Sequence, residues 1–330
     1  MRLPRSFLNA LVLGLTVLLL FSCGGGSDEP LPQRKSAARL SSAERAEFVN
    51  ALLRMKAIPS QYNPALNAYD YFVDLHVQAF ADHSGAHMAP GFLPWHRELL
   101  RRFEAEMRRA SGNPRITLPY WDWIEEGSVE KIFTDDFLGG NGDATQNWFV
   151  TSGPFRKGNW AMADNYDDTD DEFDGEIDPD TPLFKAGLQR RFNQNRNVAM
   201  PSAADVAGLF DVVRRYDVAP YDMSSDITRS MRNYLEGFWW DGPVRRSAMH
   251  NAVHVWVGGQ MQTGSSPNDP VFFLHHANID RLWSQWQARY GNDTYPTEGH
   301  HNRDEKLFKF GELTPVQTFD LERHSGVSYR

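Results

Sequence analysis

The chain has 330 residues, of which 41% are hydrophobic and 13% aromatic, and this is enough for a sizeable core in one large domain or two small ones. Its 10 tryptophans and 21 phenylalanines favour a buried interior over disorder. The formal net charge of −9, without a basic stripe, argues against nucleic acid as a partner.

The N-terminus is typical of an export signal. Two arginines precede an apolar run over residues 8–21, which is too short for a spanning helix. The only cysteine, Cys23, follows this run at a junction that resembles the lipobox of bacterial lipoproteins. We therefore expect a lipoprotein-type signal peptide over residues 1–22, and membrane attachment at the cell envelope through lipidated Cys23. The alternative is an ordinary signal peptide and a secreted protein.

The first half of the remaining chain predicts a tether followed by helices. Residues 23–40 are rich in Gly, Ser, Pro and charge, which predicts a flexible tether, so that the folded domain would span residues 41–330. Apolar spacing and end signals predict helices over 41–58, 65–80 and 96–111.

The second half begins with an extended aromatic segment at 116–123 and contains a strongly acidic stretch at 164–180. Part of this stretch mimics the start of an EF-hand loop, but its twelfth position is Thr181 rather than Glu, so we interpret it as a solvated surface loop. Three further helices are predicted, over 229–239, 250–256 and 269–291.

Eight of the 11 histidines fall into two clusters within apolar helical contexts. The clusters are His76, His83, His87 and His96, and His250, His254, His275 and His276. His250 and His254 are four residues apart and therefore share one face of a helix. Adjacent residues such as His275 and His276 point about 100° apart on a helix, so we expect one of them to face the site.

The donor types favour copper. Asn251 follows His250 where a zinc protease needs its general-base Glu, and neither cluster has the Glu-x-x-His pair of a carboxylate-bridged di-iron site. Imidazoles without a thiolate suit copper, zinc or nickel, and copper has the highest intrinsic affinity. Two such clusters facing each other predict a dinuclear copper site that binds O₂.

Two long runs resemble a known family. AHMAPGFLPWHRELLRRFE and MHNAVHVWVGGQMQTGSSPNDPVFFLHHANIDRLW are similar to the two copper-binding regions of bacterial tyrosinases, which are type 3 copper proteins. GPFRKGNW and the final FDLERHSGVSYR also resemble tyrosinase segments, so the resemblance covers roughly residues 42–330. It implies a mainly α fold, in which a four-helix bundle holds a dinuclear site, with long irregular loops and few short strands.

The resemblance also implies a ligand set for two copper ions per chain. The first copper would be held by His76, His87 and His96, and the second by His250, His254 and His276. His83 is the alternative to His76, and His275 would be a neighbour rather than a ligand. Gly85 stands where many fungal and plant relatives carry a cysteine crosslinked to histidine, so that crosslink is absent.

The implied activity is O₂-dependent ortho-hydroxylation of monophenols and oxidation of o-diphenols to o-quinones, with a possible copper-delivery partner and a role in melanin formation. The resemblance implies that Glu236 and Asn251 hold a water that deprotonates the phenol. Glu236 lies 14 residues before His250, which is longer than expected for bacterial relatives. The alternatives are a catechol or o-aminophenol oxidase without monophenol hydroxylation, a hemocyanin-like O₂ carrier and a zinc-binding structural protein.

Two carboxylates outside the ligand set have predicted structural roles. Asp280 follows His276 by four residues and Arg97 follows His96 by one, which predicts a buried ion pair between the two ligand helices. Asp269 is predicted to cap the last of these helices.

Overall fold

Helices dominate the computed structural model, which describes residues 29–82, 84–163, 186–194, 198–242 and 244–330. The helices are α1 Ser42–Ala57, α2 Asp70–Ala81, α3 Phe92–Ser111, α4 Ser128–Ile132, α5 Ala203–Asp211, α6 Met231–Glu236, α7 Met249–Val257, α8 Val271–Tyr290 and α9 Leu321–Ser325. The strands are β1 Gln33–Arg34, β2 Gly142–Asp143, β3 Phe149–Val150, β4 Phe238–Asp241, β5 Val244–Ser247 and β6 Ser328–Tyr329. The strands pair as β1 with β6, β2 with β3 and β4 with β5. The predicted mainly α class with few short strands is confirmed.

The first two helices begin where side chains satisfy their free N–H groups. Ser41 accepts from the N–H of Glu44, and the Glu44 carboxylate accepts from the N–H of Ser41, which forms a capping box at the predicted start of α1. The second helix begins at residue 70, later than the predicted 65. The Asn67 side chain accepts from the N–H groups of Tyr69 and Asp70 at 3.0 and 2.8 Å, so the preceding residues form a turn instead.

An aromatic cluster joins α3 to α8 in the core. Phe103 of α3 and Phe273 of α8 stack with ring centroids 3.5 Å apart, and Tyr69 contacts both rings edge-on. All three side chains are buried, and burial of a phenylalanine contributes about 1.5–3 kcal/mol. This packing fixes the two helices that carry His96 and His276.

The folded domain begins earlier than predicted. Strand β1 pairs in parallel with β6 at the other end of the chain, and the side chain of Arg34 is fully buried. Residues 31–330 form one unit by their internal contacts. The flexible tether predicted for residues 23–40 is therefore wrong for residues 31–40, because a buried arginine holds this segment in the fold.

A β-hairpin replaces part of the predicted helix over 229–239. Helix α6 ends at Glu236, because Gly237 adopts φ +97°, and a Cβ at this position would lie 1.8 Å from the carbonyl oxygen of Ala248. Strands β4 and β5 then form the hairpin, with Phe238 opposite Ser247. This hairpin accounts for the long spacing between Glu236 and His250.

Several predictions concern residues outside the described ranges. These are the signal peptide, lipidated Cys23, His83 and the acidic stretch 164–180. Among the residues that the structure describes, no helix has both the length and the apolar character needed to span a membrane.

Candidate dinuclear metal centre

The first histidine group combines two helices and a loop. His76 lies on α2, His96 lies on α3, and His87 lies on the segment between these helices. One ring nitrogen from each histidine lies within 4.8 Å of the others. The structure thus brings together the three histidines that the resemblance assigned to the first copper.

The second group comes from α7 and α8. His250, His254, His275 and His276 each offer a nitrogen within the same 4.8 Å limit. The Nε2 atoms of His250 and His276 are 3.3 Å apart. Two imidazole nitrogens that share one ion at about 2.0–2.1 Å in tetrahedral geometry are roughly 3.3 Å apart, so this pair fits a common metal ion.

The two groups face each other across the α3–α8 interface. The rings of His96 and His276 stack with centroids 4.3 Å apart and planes 13° apart. Phe272 lies beside them, with its ring centroid 4.1 Å from that of His276. The two clusters of the sequence therefore form one compact site walled by aromatic rings.

Backbone carbonyls fix the orientation of three of these imidazoles. Nδ1 of His76, His96 and His254 donates to the carbonyl oxygens of Gly264, Phe92 and Met261 at 2.6, 2.8 and 2.5 Å. Their Nε2 atoms are buried and meet no hydrogen-bond partner among the described residues. A buried nitrogen with its lone pair free, on a ring whose other nitrogen is bonded, has the form of a metal ligand.

Burial also keeps these side chains uncharged. Desolvation lowers the pKa of His76 to about 3 and that of His254 to about 4, and it lowers the pKa values of His87, His96, His250 and His276 well below the usual range. Neutral imidazoles are the protonation state that binds a metal. The site thus fits two copper ions by donor type, orientation and protonation.

His275 lies closer to the site than the sequence analysis expected. Its ring stacks on that of His250 at 4.9 Å and 19°, and Trp123 covers it at 5.2 Å. A nitrogen of each of the two adjacent histidines lies within 4.8 Å of nitrogens of His250 and His254 on α7. The geometry alone therefore offers four nitrogens to the second ion.

A cavity of about 100 Å³ opens beside the two groups, and Glu236 and Asn251 both line it. Glu236 is buried; its Oε1 accepts from the N–H of Met88 at 2.5 Å and its Oε2 accepts from Arg232 at 3.0 Å. Burial outweighs Arg232 and raises the pKa of Glu236 to about 7. Asn251 Oδ1 lies 2.9 Å from Nδ1 of His250. Although the hairpin lengthens the chain between Glu236 and His250, Glu236 lines the same cavity as His250 and His254 of the second group.

The pair predicted between Arg97 and Asp280 belongs to a larger buried network. Arg97 Nε donates to Asp280 at 2.5 Å, and Arg34 donates to the second oxygen of Asp280 at 2.9 Å and to Glu104. The Tyr329 hydroxyl also donates to Asp280, at 2.7 Å. The sequence analysis missed Arg34, Glu104 and Tyr329, because their partners lie far away along the chain.

Asp269, the predicted cap of α8, lies one residue before the N-cap position, which Pro270 occupies, and it still binds the first N–H of the helix. The Asp269 carboxylate accepts from the N–H of Val271 at 3.0 Å. It also receives two hydrogen bonds from Arg190, at 2.7 and 2.8 Å, and both side chains are fully buried. The carboxylate thereby also ties α8 to the segment that carries Arg190.

Comparison with known proteins places this site in a family. The common central domain of tyrosinase matches residues 66–289. A tyrosinase of Streptomyces lincolnensis is 37% identical over 303 residues, which is 88% of this chain and 97% of that protein. The grixazone synthase of Streptomyces griseus is 34% identical over 314 residues, with the same two shares.

Solved structures agree on the fold. A polyphenol oxidase of Thermothelomyces thermophila matches with a TM-score of 0.59 and 24% identity, over 78% of this chain and 70% of that one. A functional unit of octopus hemocyanin matches with a TM-score of 0.52 and 19% identity, over 90% of this chain and 67% of that one. The relatives and the site together show that the chain belongs to the tyrosinase family of dinuclear copper oxidases.

Proposed function

We propose that this chain, as a tyrosinase-type copper oxidase, hydroxylates monophenols at the ortho carbon and oxidises the resulting o-diphenols to o-quinones. The observation that carries the proposal is the position of Glu236 and Asn251 in the wall of the cavity beside the two histidine groups. A carboxylate and an amide at this position can hold a water that accepts the hydroxyl proton of a monophenol.

In this proposal, each histidine group holds one copper ion. His76, His87 and His96 hold the first copper, and His250, His254 and His276 hold the second. When bound, the copper pair supplies the two-electron chemistry with O₂, and the protein supplies position, dryness and proton transfer. The hydrogen bonds that Nδ1 of His76, His96 and His254 donates to backbone carbonyls hold their Nε2 atoms in place for this purpose.

Glu236 acts on the proton of the phenol. A monophenol must lose its hydroxyl proton before its oxygen can bind copper. A water held by Glu236 and Asn251 takes this proton and passes it to the Glu236 carboxylate, whose pKa of about 7 suits reversible transfer near neutral pH. Hydrogen bonds from Arg232 and from the N–H of Met88 hold this carboxylate in its place in the cavity wall.

The test compares tyrosine with L-DOPA as substrates of the copper-loaded protein. Turnover of tyrosine after a lag, together with turnover of L-DOPA without one, supports the proposal. Turnover of L-DOPA or o-aminophenol alone indicates the catechol-oxidase alternative, and no turnover of any catechol indicates an O₂ carrier. Metal analysis completes the test, since about two coppers per chain are expected, whereas one zinc without copper would indicate a structural protein.

We further propose that the protein is exported and anchored through lipidated Cys23, and that its o-quinones feed melanin formation. The support is the sequence of the first 23 residues, with its basic start, apolar run and single cysteine. Mass spectrometry of the mature N-terminus, and detergent partitioning of the natural protein against Cys23→Ala, test the anchor. A water-soluble natural protein without an acyl chain would contradict it.

A separate measurement tests the need for a copper-delivery partner. It compares the copper content of the protein as expressed with that of the apo-protein after copper is added in vitro.

A further inference from the structure

His87 is held differently from the other two histidines of its group. His76 and His96 lie on helices, and Nδ1 of each donates to a backbone carbonyl. His87 lies in the segment between α2 and α3, and its Nδ1 is buried without a hydrogen-bond partner among the described residues. Its ring packs on Phe80 and on the other two histidines, but no hydrogen bond to Nδ1 fixes it, so the placement of this segment also determines where the ring lies.

The segment that carries His87 is closed by two glycines. Gly85 adopts φ +78°, and a Cβ built on Gly91 would lie 2.6 Å from the carbonyl oxygen of Gly85. The two backbones therefore touch on either side of His87. Contacts of this turn with the rest of the chain therefore help to set the position of His87.

Besides the hydrogen bonds that Met88 donates to Glu236 and Pro90 accepts from Tyr216, the turn has a contact with His301, near the other end of the chain. A Cβ built on Gly85 would lie 2.1 Å from Nδ1 of His301 and 2.4 Å from its Cε1 and Cγ atoms. The imidazole of His301 thus fills the space in which a side chain at residue 85 would stand. It lies flat against the turn, two residues before His87.

His301 is itself held firmly. Its N–H donates to the Glu305 carboxylate at 2.5 Å, and its carbonyl oxygen accepts from the Tyr295 hydroxyl at 3.4 Å. A few residues later, the carbonyl oxygen of Phe308 accepts from the indole N–H of Trp95 at 3.1 Å. The ring of Trp95 packs edge-on against His96, with centroids 4.9 Å apart. The segment 299–310 therefore contacts the surroundings of the first histidine group twice, through His301 at Gly85 and through Phe308 at Trp95.

We propose that His301 is a positioning residue, whose ring holds the Gly85 turn and thereby keeps His87 in place to bind the first copper. The proposal rests on the assignment of copper in the proposed function. It assigns no bond between His301 and the metal. The role is steric, because the ring faces the glycine Cα, and a small cavity of about 10 Å³ beside it has room for one water only.

The test measures copper release, without turnover. The reduced, two-copper protein is mixed with a Cu(I) chelator, and the release of each copper is followed in time. We expect His301→Ala to release one of its two coppers about tenfold faster, because outer contacts of metal ligands commonly contribute 10–100-fold in affinity. The other copper should leave within twofold of the natural rate.

Two matched variants separate position from general stability. His301→Phe keeps a flat ring over Gly85 and should restore slow release to within about twofold. His300→Ala changes the neighbouring exposed histidine and should behave as the natural protein. If the alanine variant is insoluble, His301→Gln, which loses the flat ring, should show the same selective release.

Three results would overturn the proposal: natural release rates in His301→Ala, equal acceleration of both coppers, or failure of His301→Phe to rescue. If the natural protein does not hold two coppers, the proposed function fails instead. The two failures can therefore be told apart.

Discussion

Arg97 and Asp280 form a buried ion pair that joins α3 to α8, with Nε and Oδ1 2.5 Å apart. Each residue lies within four positions of a histidine of the centre, His96 or His276. Arg34 and Tyr329 bind the same carboxylate, so the two ends of the folded domain meet where the two ligand helices meet. The spacing between the two histidine groups is thereby fixed by charge as well as by apolar packing.

Asp280→Asn should destabilise the protein strongly. The substitution leaves Arg97 and Arg34 buried with only part of their neutralising charge, and breaking a buried pair costs about 3–5 kcal/mol. Urea denaturation should show this loss in the free energy of unfolding. Asp211→Asn is the control, since its pair with Arg289 is 3.5 Å long and mostly exposed, and it should change little. A free energy of unfolding within 1 kcal/mol of the natural value would show that the network does not stabilise the fold.

His276→Ala and His275→Ala should differ in copper content. If His276 is the ligand and His275 its neighbour, the first variant holds about one copper per chain and forms no quinone, whereas the second holds two. Both residues are buried, so each variant is first checked for folding by circular dichroism. His254→Ala should match His276→Ala. One copper in His275→Ala and two in His276→Ala would show that His275 is the ligand and His276 its neighbour.

Glu236→Gln should affect monophenols more than diphenols. Removal of a proton acceptor commonly lowers the affected step by about 100-fold or more, and oxidation of an o-diphenol does not depend on this acceptor in the same way. Asn251→Ala should shift the ratio of tyrosine to L-DOPA turnover in the same direction. Equal losses for the two substrates would remove the proposed role of both residues.

The pH dependence of tyrosine turnover should follow the same carboxyl. Burial raises the pKa of Glu236 to about 7, and only its ionised form accepts a proton. Turnover of tyrosine should therefore rise relative to that of L-DOPA as the pH rises through about 7. In Glu236→Gln this rise should disappear, and its persistence would place the titrating group elsewhere.

Acid should weaken the fold partly through Glu98. Burial alone would raise its pKa, but hydrogen bonds from Arg101, His324 and Arg102 outweigh burial and hold the pKa at about 2, below the ordinary 4.5. A depressed pKa stabilises the folded state above about pH 4.5, and this contribution, up to roughly 3 kcal/mol, is lost as the pH falls towards 2.

Glu98→Gln tests this dependence by thermal unfolding between pH 7 and pH 2.5. The variant should be less stable than the natural protein at pH 7, and the two should converge at the acid end. Glu322→Gln, at an exposed position of α9, should follow the natural protein throughout. A constant difference across the whole range would assign the acid sensitivity to other carboxylates.

The ligand helices were predictable because their signals are local. The four-residue step from His250 to His254, the HH pair at 275–276 and the apolar spacing around them depend on the 3.6-residue helical period. The same short-range logic predicted the cap at Asp269, and the resemblance to the tyrosinase family added the grouping of the histidines. The Arg97–Asp280 pair was predictable because each partner lies beside a histidine of the site.

The remaining features depend on partners that are distant in sequence. From the sequence, Arg34 was predicted to belong to a charged tether. In the structure it binds Glu104 and Asp280, which are 70 and 246 residues away. Nothing local marks the contact of His301 with Gly85. The sequence by itself thus determined the helices that carry the histidines, the histidine pattern and the family. Only the tertiary structure decided where the folded domain begins, which nitrogens reach each group and what holds the His87 turn, because burial and pairing are set by residues from the whole chain.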